Sequence, residues 1–266
     1  MSFLGKDIRL HRLLNDRSGR LLAVTVDHPI GRGVYEGLAD IRGILEKIVA
    51  GNPDSVTMTK GIAQNCFAPH AGKVSLIMKA SSFSVYLPSC DTVTADVEEA
   101  VRLGADAVSM GLILGGEHQN EQVYNLGKLT KQAESYGMPV VAHIYPKGEF
   151  ISAEGRTDWK NLRYCVRLGA EMGVDIIKTT YSGDPDSFAK VVAACPTRVV
   201  VAGGDNFQDV RAFLKQTKDL ILAGAAGVTY GRGIWEYKDP TRMIQAINCI
   251  VNENGSVEQA LQILGE

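Results

Sequence analysis

No run of apolar residues in this 266-residue chain is long enough to span a bilayer, which takes about 20 in succession. The opening stretch MSFLGKDIRLHRLLNDRSGR interrupts its apolar residues with charges, so an amphipathic helix is expected there rather than a signal peptide. A dominant charge sign is missing as well. Twenty-eight basic against 30 acidic residues leave a formal net charge of −2, which argues against a broad cationic face, so neither nucleic acid nor membrane is expected as a partner. The five cysteines (Cys66, Cys90, Cys165, Cys195, Cys249) include no CxxC pair. Scattered in this way they read as reduced core thiols in a cytoplasmic protein. The five histidines (His11, His28, His70, His118, His143) supply neither HxH nor HExxH, in keeping with the expectation of no metal; no other cofactor is expected either. No linker, low-complexity tract or charge block divides the sequence, and residues 1–266 are expected to form one domain.

What the chain does contain is a repeated pattern. ILEKIVAGNPDSVTMTK at 44–60, EEAVRLGADAVSM at 98–110, RYCVRLGAEMGVDIIKTT at 163–180 and DLILAGAAGVTYG at 219–231 share one order. An amphipathic helical stretch ends at or near Gly, which accepts the left-handed backbone of a helix terminus, and a short β-branched run follows. Those runs (55–58, 107–110, 176–180, 228–230) have the length of buried strands. Further strands are expected at 21–26, 75–79, 139–144 and 198–202, with irregular chain at 61–72 and 83–94 and a final helix over 251–264. About eight apolar strands alternating with helices imply parallel pairing inside a helical layer, an α/β fold of the closed (β/α)₈ TIM-barrel type. A doubly wound open sheet would want a Gly-rich turn after its first strand, where this chain has Asp27-His28-Pro29.

In such a barrel the site lies at the C-terminal strand ends. Lys60, Lys79, Asp27, His28, Tyr145 and Lys178 fall there. Lys178 breaks the apolar run DIIKTTY. Pointing inward, its ammonium loses hydration and its pKa falls, which yields the neutral amine a Schiff-base enzyme uses; otherwise the side chain snorkels to the barrel mouth. Gly203-Gly204 and Gly231-Arg232 end the seventh and eighth strands, a place where backbone amides and a guanidinium commonly hold phosphate. Tyr145 is either a proton relay, its phenol pKa lowered by a neighbouring cation, or a ring packed across the mouth. Asp27 is open to pairing with Lys178 or Arg232, to shuttling protons, or to capping a turn.

These residues sit within a wider likeness. VDH at 26–28, KGIA at 60–63, VEEAVRLGADAVS at 97–109, YPKG at 145–148, DIIKTTYSGD at 175–184, VVVAGGD at 199–205, AGAAGV at 223–228 and YGRGIW at 230–235 resemble the archaeal-type class I fructose-bisphosphate aldolases of the DeoC/FbaB group. The chain is also very similar to the related 2-amino-3,7-dideoxy-D-threo-hept-6-ulosonate synthases, and its tail and the KGIA and RLGADAVS pieces are as close to that group as to the aldolases. The resemblance implies a TIM barrel with Lys178 as Schiff-base lysine, Tyr145 as acid/base and Asp27 assisting carbinolamine and imine chemistry. It also implies phosphate binding by Gly203, Gly204, Gly231 and Arg232, a sugar-phosphate substrate such as fructose 1,6-bisphosphate, and a homo-oligomer, often a decamer or related ring. Three positions depart from the family pattern: Pro29 stands where Gly is common after Asp-His, His143 where Trp is frequent, and Asp205-Asn206 where Pro-Lys is usual. His143 is expected as a hydrogen-bonded wall residue or, more sharply, as a relay to Tyr145. The alternatives are transfer of a ketose fragment to aspartate semialdehyde, a thiolase-like cleavage of a phosphorylated dione with coenzyme A, and a non-catalytic phosphosugar-binding barrel.

Overall fold

Eight parallel strands close into a barrel, with helix between each strand and the next. The computed structural model describes residues 4–204 and 209–266; the Asp205-Asn206 departure lies outside them. The barrel strands are β1 Leu21–Thr25, β2 Ser55–Thr59, β3 Ser75–Lys79, β4 Ala107–Leu114, β5 Val140–Pro146, β6 Ile176–Thr179, β7 Arg198–Ala202 and β8 Gly227–Tyr230. Neighbours follow chain order, and β8 pairs with β1 to shut the ring. This is the (β/α)₈ architecture expected from the repeats. Among the described residues no helix is long and apolar enough to cross a membrane.

The repeats have a physical cause at the N-terminal ends of the strands. Asp54, Asp106 and Asp175 stand one residue before β2, β4 and β6. Each carboxylate accepts an amide from the preceding barrel strand: Leu22 N–H at 2.6 Å, Leu76 N–H at 3.2 Å and Val140 N–H at 2.9 Å. Backbone donors at strand starts need such partners once buried. The sequence pieces PDSV, ADAV and VDII are therefore one device used three times.

Alternation along each strand separates two apolar clusters. Leu22, Val24, Val56, Met58, Leu76, Met78, Val108, Ala142, Ile144 and Ile177 face the helices in the outer core. Leu21, Ala23, Ile77, Ala107, Val141, Ile176 and Val200 face inward and meet Leu13 at the bottom of the barrel. Leu13 ends α1 (Leu4–Leu13), which plugs the floor. Lys6 of α1 pairs with Asp175 at 3.0 Å, and Arg9 donates to the Gly137 carbonyl at 3.0 Å. The opening amphipathic helix is thus the barrel's lower seal.

Two local expectations are corrected. The stretch 61–72 is not irregular: Lys60–Cys66 is a helix that buries Ala63 and Cys66, followed by a 3₁₀ turn at Ala68–His70. Its apolar positions are too few for periodicity to register. The final helix begins at Val257 and runs to Leu264, whereas Val251 ends the helix before it, Pro240–Val251. Asn254 at φ 62° turns the chain between them, and Ser256 with Gln259 forms a capping box that restarts it. The stretch 83–94 is irregular as expected, apart from the end of a short antiparallel ribbon between Ser81–Ser82 and Thr92–Val93.

Candidate active site

Above the apolar floor the inward positions turn polar. Thr25, Thr57, Lys79, Ser109, His143, Lys178 and Thr229 are all buried. The same alternation, carried past the strand ends, brings Asp27, Gly111, Tyr145, Lys147 and Gly231 to the mouth at the C-terminal side. The barrel interior is therefore hydrocarbon at one end and reactive at the other.

Lys178 points inward, is 6% exposed, and has no hydrogen bond or ion pair to any described residue. Burial lowers its pKa from 10.5 to about 8. Asp27 opposes that shift, while Lys79, Lys147 and Arg32 add to it. Near neutral pH a useful fraction of the amine is consequently uncharged. Its neighbour in register across β5 is His143. His143 is buried but bonds to no described residue, against the expectation of a hydrogen-bonded wall residue. Burial, then Lys79 and Lys178, hold its pKa well below the ordinary value, so it is neutral.

Tyr145 corrects another expectation. Its phenol pKa is raised, not lowered: burial dominates, Asp27 and Asp91 add to it, and Arg32 only partly offsets them. The Lys147 ammonium lies 5.0 Å from the ring centroid, over the π face rather than at the hydroxyl. The resting phenol is therefore a proton donor. Asp27 makes no ion pair with Lys178; the His28 imidazole lies beside it, Nδ1 to Oδ1 3.7 Å. Burial lowers the His28 pKa to about 4 despite Asp27, so this contact joins a carboxylate to a neutral ring.

The strand-seven and strand-eight loops do come together. Arg232 Nη2 donates to the Gly204 carbonyl at 3.4 Å. Gly231 precedes a single helical turn, Arg232–Trp235. A β-carbon on Gly231 would strike the His28 ring and Thr25 Oγ1, so glycine here lets the turn after β8 and the Asp27-His28 segment touch. Trp235 locks the same corner by donating Nε1–H to the Thr25 carbonyl at 3.1 Å.

Sequence reasoning passed over four residues. In the sequence Lys79 stands out only by its position at a strand end; the structure buries it to 5% exposure, close enough to depress both Lys178 and His143. Lys147 has its pKa lowered to about 8 by burial, then by Arg32, Arg156 and Arg232, which marks a cation cluster at the mouth. Asp91 and Gln122 come from outside the barrel strands, and only the alternation of β4 together with the course of the 83–94 segment reveals them. Lys60, by contrast, turns outward to Glu99 at 2.7 Å.

Comparison with known proteins gives a match to the DeoC/LacD family aldolases over residues 21–237. The 2-amino-3,7-dideoxy-D-threo-hept-6-ulosonate synthase of Halobacterium salinarum is 36% identical over 100% of this chain and 98% of its own. The 2-amino-4,5-dihydroxy-6-oxo-7-(phosphonooxy)heptanoate synthase of Streptomyces griseus is 28% identical over 94% and 92%. Among solved structures, an archaeal fructose-1,6-bisphosphate aldolase with its catalytic Lys covalently bound to the carbinolamine intermediate superimposes with a TM-score of 0.85. It is 26% identical and covers 92% of this chain and 99% of its own.

Proposed function

The chain belongs to the DeoC/LacD aldolase family, and on that premise we propose that it makes and breaks a carbon–carbon bond beside the ketone of a phosphorylated substrate, with Lys178 as nucleophile. The observation that carries this reading is an inward lysine, unpaired among the described residues and with its pKa brought down to about 8, at the C-terminal end of the barrel. Such an amine is a nucleophile rather than a charge-pair partner.

The proton inventory closes on the residues present. The neutral amine adds to the ketone carbon, and loss of water from the carbinolamine consumes one proton. The Tyr145 phenol supplies it, with Asp27 moving protons around the nitrogen and the leaving oxygen. The resulting phenolate then takes the proton of the β-hydroxyl as the Cα–Cβ bond breaks. Its electrons flow into the iminium, the aldehyde leaves, and the phenol protonates the enamine carbon. Hydrolysis returns ketone, amine and the first proton. Addition runs the same steps backward. Gly203, Gly204, Gly231 and Arg232 would anchor the phosphate so that remote binding aligns the carbonyl with Lys178.

The full-length similarity to the two 2-amino product synthases favours an amino-acid aldehyde such as aspartate semialdehyde as acceptor. The second reading is cleavage of fructose 1,6-bisphosphate. It is favoured by the likeness to the archaeal aldolase and by the Arg32, Lys147, Arg156 and Arg232 cluster, whose charge suits a doubly phosphorylated sugar. Borohydride reduction with fructose 1,6-bisphosphate or dihydroxyacetone phosphate, followed by peptide mass spectrometry, tests the core claim. An adduct on Lys178 supports it, and an adduct only on Lys79 or Lys60 overturns it. Product analysis with and without aspartate semialdehyde separates the two substrate readings.

A further inference from the structure

Asp91 has no task in the reaction just described, yet the fold holds it in place with care. It is 4% exposed, and neither carboxylate oxygen accepts a hydrogen bond from any described residue; Oδ1 is wholly enclosed. An ionised carboxylate in that state is costly unless something arrives to pair with it.

Its placement is built from three elements. The segment 83–94 leaves the barrel after β3 and returns through the ribbon at Thr92–Val93. Phe83 packs on Gly31 and lies under the Arg32 guanidinium, 5.6 Å from its ring centroid. The Gln122 carboxamide fixes the other end. Its oxygen accepts from the amides of Ile113 at 2.9 Å and Asp91 at 3.4 Å, and its nitrogen donates to the Ser89 carbonyl at 3.1 Å. The carboxylate then rests on Gly111, in space that a β-carbon there would fill. Gly111 is an inward position of β4, paired in register with His143. Asp91 thus replaces a missing side chain on the inner wall, one strand from the wall that carries His143 and Tyr145.

The charges around it are specific. Tyr145 senses both Asp91 and Arg32, its ring carries the Lys147 ammonium, and Lys147 in turn senses Arg32 and Arg156. The Asp91 carboxyl, without a partner among the described residues, and a group of cations therefore act on the same phenol. A ligand that satisfies both is a small zwitterion.

We propose that Asp91 receives the ammonium of an acceptor aldehyde of the α-amino-acid class, whose carboxylate lies toward Arg32 and Lys147 and whose carbonyl oxygen meets the Tyr145 hydroxyl. This rests on the aldol reading above and assigns it an acceptor subsite. Gln122 and Gly111 are its positioning residues.

The test compares two acceptors of equal length, aspartate semialdehyde and succinate semialdehyde, which differ only in the amino group. The donor is dihydroxyacetone phosphate, with fructose 1,6-bisphosphate as the alternative donor, and the proteins are the wild type, Asp91→Asn and Gln122→Ala. A charged hydrogen bond of this kind corresponds to roughly 10–100-fold. The wild type is expected to favour the amino aldehyde by that factor in kcat/KM. Asp91→Asn, nearly isosteric, is expected to remove most of that preference, while borohydride trapping of the donor alone is expected still to reach completion. Gln122→Ala is expected to reduce the preference part-way. Equal use of the two aldehydes by wild type overturns the subsite, and so does an Asp91→Asn loss that is the same for both, since that is the mark of a merely structural role. Absence of a trapped donor in wild type is a different result: it overturns the aldol reading itself, and the subsite with it.

Discussion

His143 stands opposite Lys178 in the register of β5 and β6, so two nitrogen bases share one rung of the barrel wall with no proton bridge to any other described residue. Burial, with the charge of Lys79 adding to it, lowers the pKa of both: His143 is held neutral, and Lys178 is brought down to about 8. The pH dependence follows from the sign of those shifts. An amine whose folded pKa is about 8 gains nucleophile as pH rises toward and past 8. The initial rate of borohydride-trapped imine is therefore expected to climb about tenfold per unit below pH 8 and level off above it. Replacing Lys79 by Gln removes a repelling cation, raises the amine pKa, and is expected to move that rise to higher pH. An unmoved profile would sink the role given to Lys79.

The same shift has a cost in stability. The folded pKa of Lys178 lies below its unfolded value of about 10.5. Between the two, the unfolded chain binds more protons, so stability rises with pH across that window and the penalty is fully present below pH 8. Its size at pH 7 is on the order of 3 kcal/mol. Lys178→Met is thus expected to abolish trapping and yet raise Tm at neutral pH, with the gain shrinking by pH 10. Thermal melts at three pH values measure it, and a lower Tm at pH 7 would contradict the burial argument.

Tyr145→Phe separates the steps assigned to the phenol. Imine formation can draw its proton from water by way of Asp27, whereas the carbon–carbon step has no other donor placed beside it. Trapping is expected to slow but reach completion, and turnover to fall by about 10²–10⁴-fold, the usual worth of a positioned acid/base. Complete loss of trapping would show that water and Asp27 cannot replace the phenol in imine formation.

The barrel was legible because its signals are local. Gly at helix ends and β-branched runs of four or five residues recur within short windows, whereas the Asp preceding alternate strands shows its part only in the structure. Lys178 was legible for the same reason, being a charge inside an apolar strand. The surroundings of the site were not. Lys79 ends SLIMK, and nothing in that string says that the alternation of β3 turns it inward beside Lys178. Lys147 looks like an ordinary loop lysine until the mouth closes around it. Asp91 depends on Gln122, 31 positions away, and on the absence of a side chain at Gly111. The sequence points to the wrong direction for the Tyr145 shift because burial, the largest cause, is invisible in a local string, and because the cation close in sequence, Lys147, settles on the ring face while Asp27 and Asp91 add to the upward shift.

The floor of the barrel offers a stability test remote from the chemistry. Leu13 is fully buried against Leu21, Ile77, Val141, Ile176 and Val200. Leu13→Ala opens a cavity under the strands, and a cost of about 2–5 kcal/mol is expected. Because the floor lies at the end opposite the reactive rung, trapping by the folded variant at low temperature is expected to match wild type. A matching loss of trapping would show that α1 tunes the mouth.

Arg232 carries the last prediction because its two roles can be told apart. It ties the loops after β7 and β8 through the Gly204 carbonyl, and its guanidinium is the group expected to meet phosphate oxygens. Arg232→Ala removes both; Arg232→Lys keeps the charge but loses the fork. If phosphate recognition is the larger role, Ala raises KM for dihydroxyacetone phosphate by at least about tenfold, Lys restores part of it, and trapping of unphosphorylated dihydroxyacetone changes little. If the loop tie is the larger role, both donors suffer alike and Lys rescues neither. Parallel trapping curves for the two ketones decide between them, since the molecules differ only in the anionic group that Arg232 is proposed to hold.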